Sequence, residues 1–281
     1  MIKQILDSKS ENPNRALWEK GDFTEIAALM RQSGEVLVAD LKIPSYFQVL
    51  DLGSGDGTTA IPIARTGAEV TGIDIAKNLV EAGNQRATEE GLTNLKFQEG
   101  DACNLQEVRD HSFDLTLSVF GAMFAPKPYD VASEMVRVTK PGGRIVMGNW
   151  IPNDPTSFVS QLFRISASFS PPPPEGFISP MTWGMKANVI DYFAKAGVKE
   201  GKISMLKDTY SFISQNKSPE DLIELLRKFY GPTMNAFEAA EKNDRVDELR
   251  TRFVELANQQ NLNYNKGIYI PATFLRVIVH L

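Results

Sequence analysis

Cysteine and histidine are almost absent from this 281-residue chain, which holds only Cys103, His111 and His280. One cysteine excludes an intrachain disulfide framework. No cluster of side chains has metal-ligand spacing, so no metal is expected. Long apolar runs are also lacking, which excludes a transmembrane helix. Residues 1–7 have no signal-peptide apolar core, so a soluble cytoplasmic protein is the expectation. Nor is there an excess of positive charge: 30 Lys and Arg against 35 Asp and Glu give a formal net charge of −5. That argues against a general nucleic-acid or anionic-membrane binder. There is no internal repeat. The length is large for one simple domain and small for two independent ones.

What is present centres on Val49-Leu50-Asp51-Leu52-Gly53-Ser54-Gly55-Asp56-Gly57-Thr58. Apolar residues lead to an acid, and alternating glycines then precede a helix-like run. This predicts a buried strand ending in a tight loop whose glycines can adopt positive φ and admit a ligand to the backbone. The bland alternative is a strand–helix turn with no ligand. A dinucleotide fingerprint would space its glycines as G-x-G-x-x-G; here Gly57 comes one residue early and Thr58 takes the last glycine's place.

A βα rhythm surrounds the loop. Strands are predicted over 48–52, 69–73, 95–98, 113–118 and 144–150, with helices over 58–65, 77–90 and 129–138. Lys140-Pro141-Gly142-Gly143 reads as a turn. Such alternation implies a parallel sheet covered by helices on both faces. Upstream, residues 1–15 read as loose, and a helix capped by Thr24 carries Ile26, Met30, Leu37 and Leu41 until Pro44 ends it. Downstream, a helix around Phe158–Ile165 precedes Pro171–Pro174, a stiff surface connector. A helix over 186–196 and a strand over 203–212 follow. A helix capped at Ser218-Pro219, a helix through Val246–Leu256 and a last strand over 268–281 close the chain. The expected units are a helical lid (1–46), a ligand-binding core (47–151), a Pro-rich insertion (152–185), a core continuation (186–213), a helical cap (214–266) and the final strand (267–281).

Three further features sit at predicted strand ends, where α/β sheets bind ligands. Asp74, followed by Ile75, ends the second strand about 20 residues past the glycines, a spacing suited to ribose hydroxyls. Asp101-Ala102 follows the third strand. Ser118-Val119-Phe120-Gly121 ends the fourth.

Together these motifs resemble class I S-adenosylmethionine (SAM)-dependent methyltransferases, especially the small-molecule group that includes the ubiquinone and menaquinone biosynthesis enzymes. The resemblance covers residues 18–150 and fades beyond. It implies a Rossmann-like, seven-stranded, mostly parallel sheet with the last strand inserted antiparallel, helices on both faces and helical lid and cap insertions. It also implies SAM as cofactor. Gly53, Ser54 and Gly55 would then lie at the methionine moiety, with Asp51 at its amino group and Val119 facing that end. Asp74 and Ile75 would hold the ribose, and Asp101 and Ala102 the adenine. Trp18-Glu19-Lys20-Gly21-Asp22-Phe23 and Phe120-Gly121-Ala122-Met123-Phe124 resemble one uncharacterised bacterial branch of that group. Trp18 reads either as part of a lid over the cofactor or as a core staple.

For the acceptor, Phe124, Trp150, Phe158, Phe163, Trp183 and Tyr230 offer an aromatic pocket suited to a flat or greasy small molecule; alternatively they form core between cap and sheet. No strong general base is visible, which favours catalysis by positioning and desolvation. The competing functions are a non-catalytic SAM-binding protein and a NAD(P)-dependent oxidoreductase. A monomer or a homodimer is expected.

Overall fold

The computed structural model describes Asn12, residues 14–263 and residues 266–281. Most of the stretch expected to be loose, and the first part of the expected lid, lie outside the described residues. The chain enters through three short helices, α1 (Asn14–Glu19), α2 (Thr24–Ala27) and α3 (Arg31–Leu41). It continues through β1 (Gln48–Leu52), α4 (Ala60–Ala64), β2 (Glu69–Asp74), α5 (Lys77–Glu89), β3 (Leu95–Glu99), β4 (Phe113–Val119), α6 (Pro128–Val138) and β5 (Thr139–Trp150). Next come α7 (Phe158–Phe169), α8 (Lys186–Lys195), β6 (Ile203–Ser214), α9 (Pro219–Phe229), α10 (Gly231–Glu241), α11 (Val246–Gln260) and β7 (Ile268–His280).

The strands form one sheet in the order β3-β2-β1-β4-β5-β7-β6. Pairing is parallel from β3 to β5, and β7 runs antiparallel between β5 and β6. Central strands bury both faces, so β1 is buried from Val49 to Leu52 and β4 from Leu115 to Ser118, polar residues included. Alternate side chains feed two cores. Val49, Leu115, Leu117 and Val146 pack with Ile61 and Ile63 of α4 and Val80 of α5. Leu50, Leu52, Ile145 and Met147 join Val131 and Met135 of α6 and Phe158 and Leu162 of α7. The seven-stranded fold with helices on both faces is therefore as expected. Pro271 falls where β7 has run past the end of β5 and pairs only with β6, so its missing N–H breaks no ladder on that side.

Several local expectations are corrected. The helix read as continuous from Thr24 is two, because the Ile213 amide of β6 donates to the Leu29 carbonyl at 2.8 Å and takes it from the helical ladder. Ser33 ties the same segment down: its hydroxyl donates to the Ser211 carbonyl and accepts from the Ser211 amide, both at 3.0 Å. Asp22, rather than Thr24, accepts at the start of α2, from the Thr24 amide and hydroxyl. Helix α3 ends on Lys42 at φ 48, before Pro44 is reached. The stretch read as a 140–143 turn is a bulged part of β5, with a register shift opposite Phe113–Leu115 and Gly142 at φ 81. Helix α10 is new: its opening Gly231-Pro232 reads as a turn, and its buried stripe of Thr233, Ala236, Phe237 and Ala240 is too small-sided to stand out. The helix start read at Ser218-Pro219 forms, and the structure adds a capping box between Ser218 and Asp221.

Candidate active site

The glycine loop between β1 and α4 shapes the site. Gly53, Gly55 and Gly57 sit at φ 68, 55 and 92, a region that costs other residues about 1–2 kcal/mol. A Cβ on Gly53 would lie 2.6 Å from the Gly121 Cα, so the loop and the end of β4 touch backbone to backbone. A Cβ on Gly57 would strike the Phe97 ring at 2.7 Å, whereas one on Gly55 would meet nothing within 4 Å. Gly55 thus presents bare backbone to open space.

That space is a cleft of about 930 Å³ along the carboxyl ends of the strands, part of it open to solvent. Gly53, Ser54, Gly55, Asp74, Ile75, Asp101, Ala102, Val119 and Trp18 all line it. Asp51 is set one layer deeper, behind Thr59, which does line the cleft.

The three strand-end acids are held differently. Asp74 accepts the Gly55 amide on Oδ2 at 2.8 Å and the Ala76 amide on Oδ1 at 2.9 Å, which fixes its carboxyl at the rim of the loop. Burial raises its pKa, with those amides pulling the other way. Asp101 accepts the Cys103 amide at 2.8 Å, and the Asn12 side-chain amide sits 3.1 Å from both of its oxygens. Asp51 is fully buried and accepts the Thr59 hydroxyl on Oδ2 at 2.5 Å, while its Oδ1 has no partner. Burial, with a smaller push from the Asp74 charge and against the Thr59 hydrogen bond, raises the Asp51 pKa to about 7. Cys103 beside this row has its thiol pushed up to about 12 by burial, which disfavours the nucleophilic thiolate.

Asp51 has a consequence for stability. Its folded pKa of about 7 lies above the unfolded 3.8, so its contribution is intact below pH 4 and is lost as pH rises through 7. Asp51→Asn keeps the shape and removes the charge. The variant is expected to melt several degrees above wild type at pH 8, with the gap narrowing below pH 7 and closing as pH falls to 4, as read by thermal denaturation across that range.

Next to the cleft lies an apolar chamber, about 420 Å³ with its solvent-open part included. Trp18, Phe23, Met30, Phe120 and Phe124 line both spaces. Trp150, Phe158 and Tyr230 line only the chamber. Phe163 stands behind it, its ring 6.3 Å from Phe124 and 6.5 Å from Tyr230. Trp183 does not reach it: the indole is buried against Tyr192 and Phe193 of α8, at 4.8 and 6.0 Å. Phe120 holds a left-handed φ of 60, rare outside glycine. Its amide donates to the Gly148 carbonyl at 2.9 Å, and its ring stacks on Trp150 at 3.5 Å and 2°. The strained backbone aims this ring at the boundary between the two spaces.

Sequence reasoning placed no weight on Phe23, Met30, Phe120, Leu162 or Tyr210 as wall residues. Phe23 and Phe120 lay inside stretches already singled out; Tyr210 carried no signal, because it enters the cleft only through the docking of β6 on Leu29–Ser33. The histidines lie away from the carboxyl ends of the parallel strands: His111 precedes β4, and His280, the last residue of β7, pairs with Arg144 of β5. Among the described residues, no group of three or more His, Cys, Asp or Glu is placed to hold a metal. No described helix is long and apolar enough to cross a membrane.

Comparison with known proteins agrees with this geometry. Residues 50–147 match the family model described as a methyltransferase domain. An uncharacterised protein of Mycobacterium tuberculosis is 30% identical over 250 residues, covering 88% of this chain and 87% of its own length. The demethylmenaquinone methyltransferase of Paenarthrobacter aurescens is 37% identical over 120 residues, 43% of this chain and 45% of that one. The chain belongs to the class I methyltransferase family. Among solved structures, the Bacillus subtilis YcgJ protein superposes on this methyltransferase with a TM-score of 0.56 at 22% identity, covering 89% of this chain and 99% of its own. The domain match spans the glycine loop and the strand-end acids Asp51, Asp74 and Asp101. The apolar chamber is built in addition from α7, α9 and β6, outside the domain match.

Proposed function

We propose that this methyltransferase binds SAM in the cleft and transfers its methyl group to a small, apolar acceptor held in the adjoining chamber. The observation that carries the acceptor class is the chamber wall. Of the residues that line it, only Tyr230 is ionisable, and the rest are aliphatic or aromatic.

The fit of SAM to the cleft is supported by three features. Backbone at Gly55 is open for 4 Å. The buried Asp51 Oδ1 and Ser54 Oγ have no partner, the condition in which a polar ligand is favoured. Asp74 and Asp101, the two acids suited to sugar and base, line this same cleft.

When bound, SAM supplies a sulfonium methyl that an aligned nucleophile can take directly. The residues of the chain bind, orient and exclude water. Asp74, locked by two amides, would accept hydrogen bonds from the ribose hydroxyls, and Ile75 would pack beside them. Asp101 and Ala102 would hold the adenine. Gly53 and Gly55 would admit the methionine chain, with the Val119 end of β4 opposite. Asp51, behind Thr59, would place negative charge near the ligand's ammonium. Trp18, from the lid segment, would cover both spaces together with Phe23, and the aromatic wall would keep the reacting atoms dry. Burial raises the Tyr230 phenol pKa, so it stays protonated and orients an acceptor heteroatom rather than taking its proton. With no base in the chamber, the rate would come from alignment.

Methyl-labelled SAM incubated with apolar aromatic acceptors is expected to give solvent-extractable labelled product. Tyr230→Phe should raise the acceptor KM roughly 2- to 13-fold, the cost of one neutral hydrogen bond, with little change in SAM affinity. Label appearing only in charged, water-soluble acceptors would overturn the acceptor class. SAM binding with no turnover across a broad panel would favour a non-catalytic SAM-binding protein.

A further inference from the structure

Tyr210 is a polar group in the cleft that the family motifs do not include. It sits on β6 and is 1% exposed, yet it lines the cleft. Its ring is edge-on to Phe120 at 5.0 Å and to Trp150 at 6.4 Å, which fixes its direction. Its hydroxyl has no hydrogen-bond partner among the described residues. A Cβ built on Gly34 would lie 2.9 Å from that hydroxyl and 2.6 Å from the Thr58 carbonyl, which places the phenol tip against α3 and the start of the glycine loop's helix. Gly34 is thus the residue that leaves room for it.

This end of the cleft is remote from Asp101. The acids Asp101, Asp74 and Asp51 follow β3, β2 and β1 in sheet order, so a ligand with its base at Asp101 and its sugar at Asp74 ends beside Asp51 and Tyr210. An amino-acid terminus carries one cation and one anion. Asp51 answers the cation. An anion needs a neutral or positive donor, and a buried phenol with a free O–H is one. We infer that Tyr210 donates its hydroxyl hydrogen bond to the α-carboxylate of the bound methionine moiety and so selects ligands that keep this carboxylate. Burial, reinforced by the nearby Asp51 charge, raises the phenol's pKa, so Tyr210 stays a donor rather than a competing anion. The docking of Leu29–Ser33 on β6 makes this contact part of the same assembly that closes the lid segment. The inference rests on the cofactor reading above.

The test is calorimetric titration of wild type and Tyr210→Phe with two ligands. One is S-adenosylhomocysteine; the other is its decarboxylated analogue, which keeps the amine and lacks only the carboxylate. Wild type should prefer the first by about 10- to 100-fold, the range for a hydrogen bond to a charged group. In Tyr210→Phe that preference should largely vanish, through weaker binding of S-adenosylhomocysteine with the analogue unchanged and the melting temperature retained. An unchanged preference in Tyr210→Phe, or an equal loss for both ligands, overturns the inference while leaving the cofactor reading intact. Wild-type protein that binds neither ligand overturns both.

Discussion

Asp74→Ala is expected to lower S-adenosylhomocysteine affinity by about 100-fold or more, since two hydrogen bonds to a charged acceptor are worth roughly 1.5–3 kcal/mol each. Two effects combine. The ribose hydroxyls lose their carboxylate, and the Gly55 and Ala76 amides lose the acceptor that holds the loop at 2.8 and 2.9 Å. Asp74→Asn separates them. Its side chain can accept one of these amides but has one oxygen rather than two, so an intermediate loss is expected. Isothermal titration of the three proteins reads the series, and equal affinities would remove Asp74 from the ligand's contacts.

The second large effect concerns stability and binding together. Gly121→Ala would place a Cβ 2.3 Å from the Gly53 carbonyl oxygen and 2.6 Å from its Cα. Both are backbone atoms, so no side-chain rotation relieves the clash. Gly121 has φ −90, so alanine meets no backbone restriction there and the penalty is purely steric. Destabilisation at the upper end of the 1–3 kcal/mol typical of overpacking, or beyond it, is expected, together with loss of S-adenosylhomocysteine binding as the loop is pushed from β4. Gly55→Ala is the contrast. It pays the left-handed penalty of about 1–2 kcal/mol, but its Cβ meets no protein atom within 4 Å. Its binding should suffer more than its folding. Chemical denaturation and titration of both variants check this, and a stable, ligand-binding Gly121→Ala would contradict the close approach of β1 and β4.

What the sequence made legible followed from local rules. The alternating glycines, the acids at strand ends and the βα rhythm each fix backbone within a few residues, and all fall in the core. Long-range contacts were less visible. The break between α2 and α3 depends on an amide of β6, Ile213, nearly two hundred residues away along the chain, and Tyr210 reaches the cleft through the same contact. Trp183 looked like a pocket residue because aromatics in the insertion share one composition. Which of them line the chamber depends on whether α7 or α8 carries them toward Trp18 and Phe23. Phe158 of α7 faces the chamber, while Trp183 precedes α8 and packs on it.

The account depends on one claim, that the cleft over the glycine loop recognises an adenosyl amino acid. Its most direct test is calorimetric titration of the wild-type protein with S-adenosylhomocysteine and, separately, with NAD and NADP. Saturable binding of S-adenosylhomocysteine at one site per chain, with no heat of binding from either dinucleotide, is the predicted result. Saturable binding of a dinucleotide, with S-adenosylhomocysteine failing to bind, would contradict it.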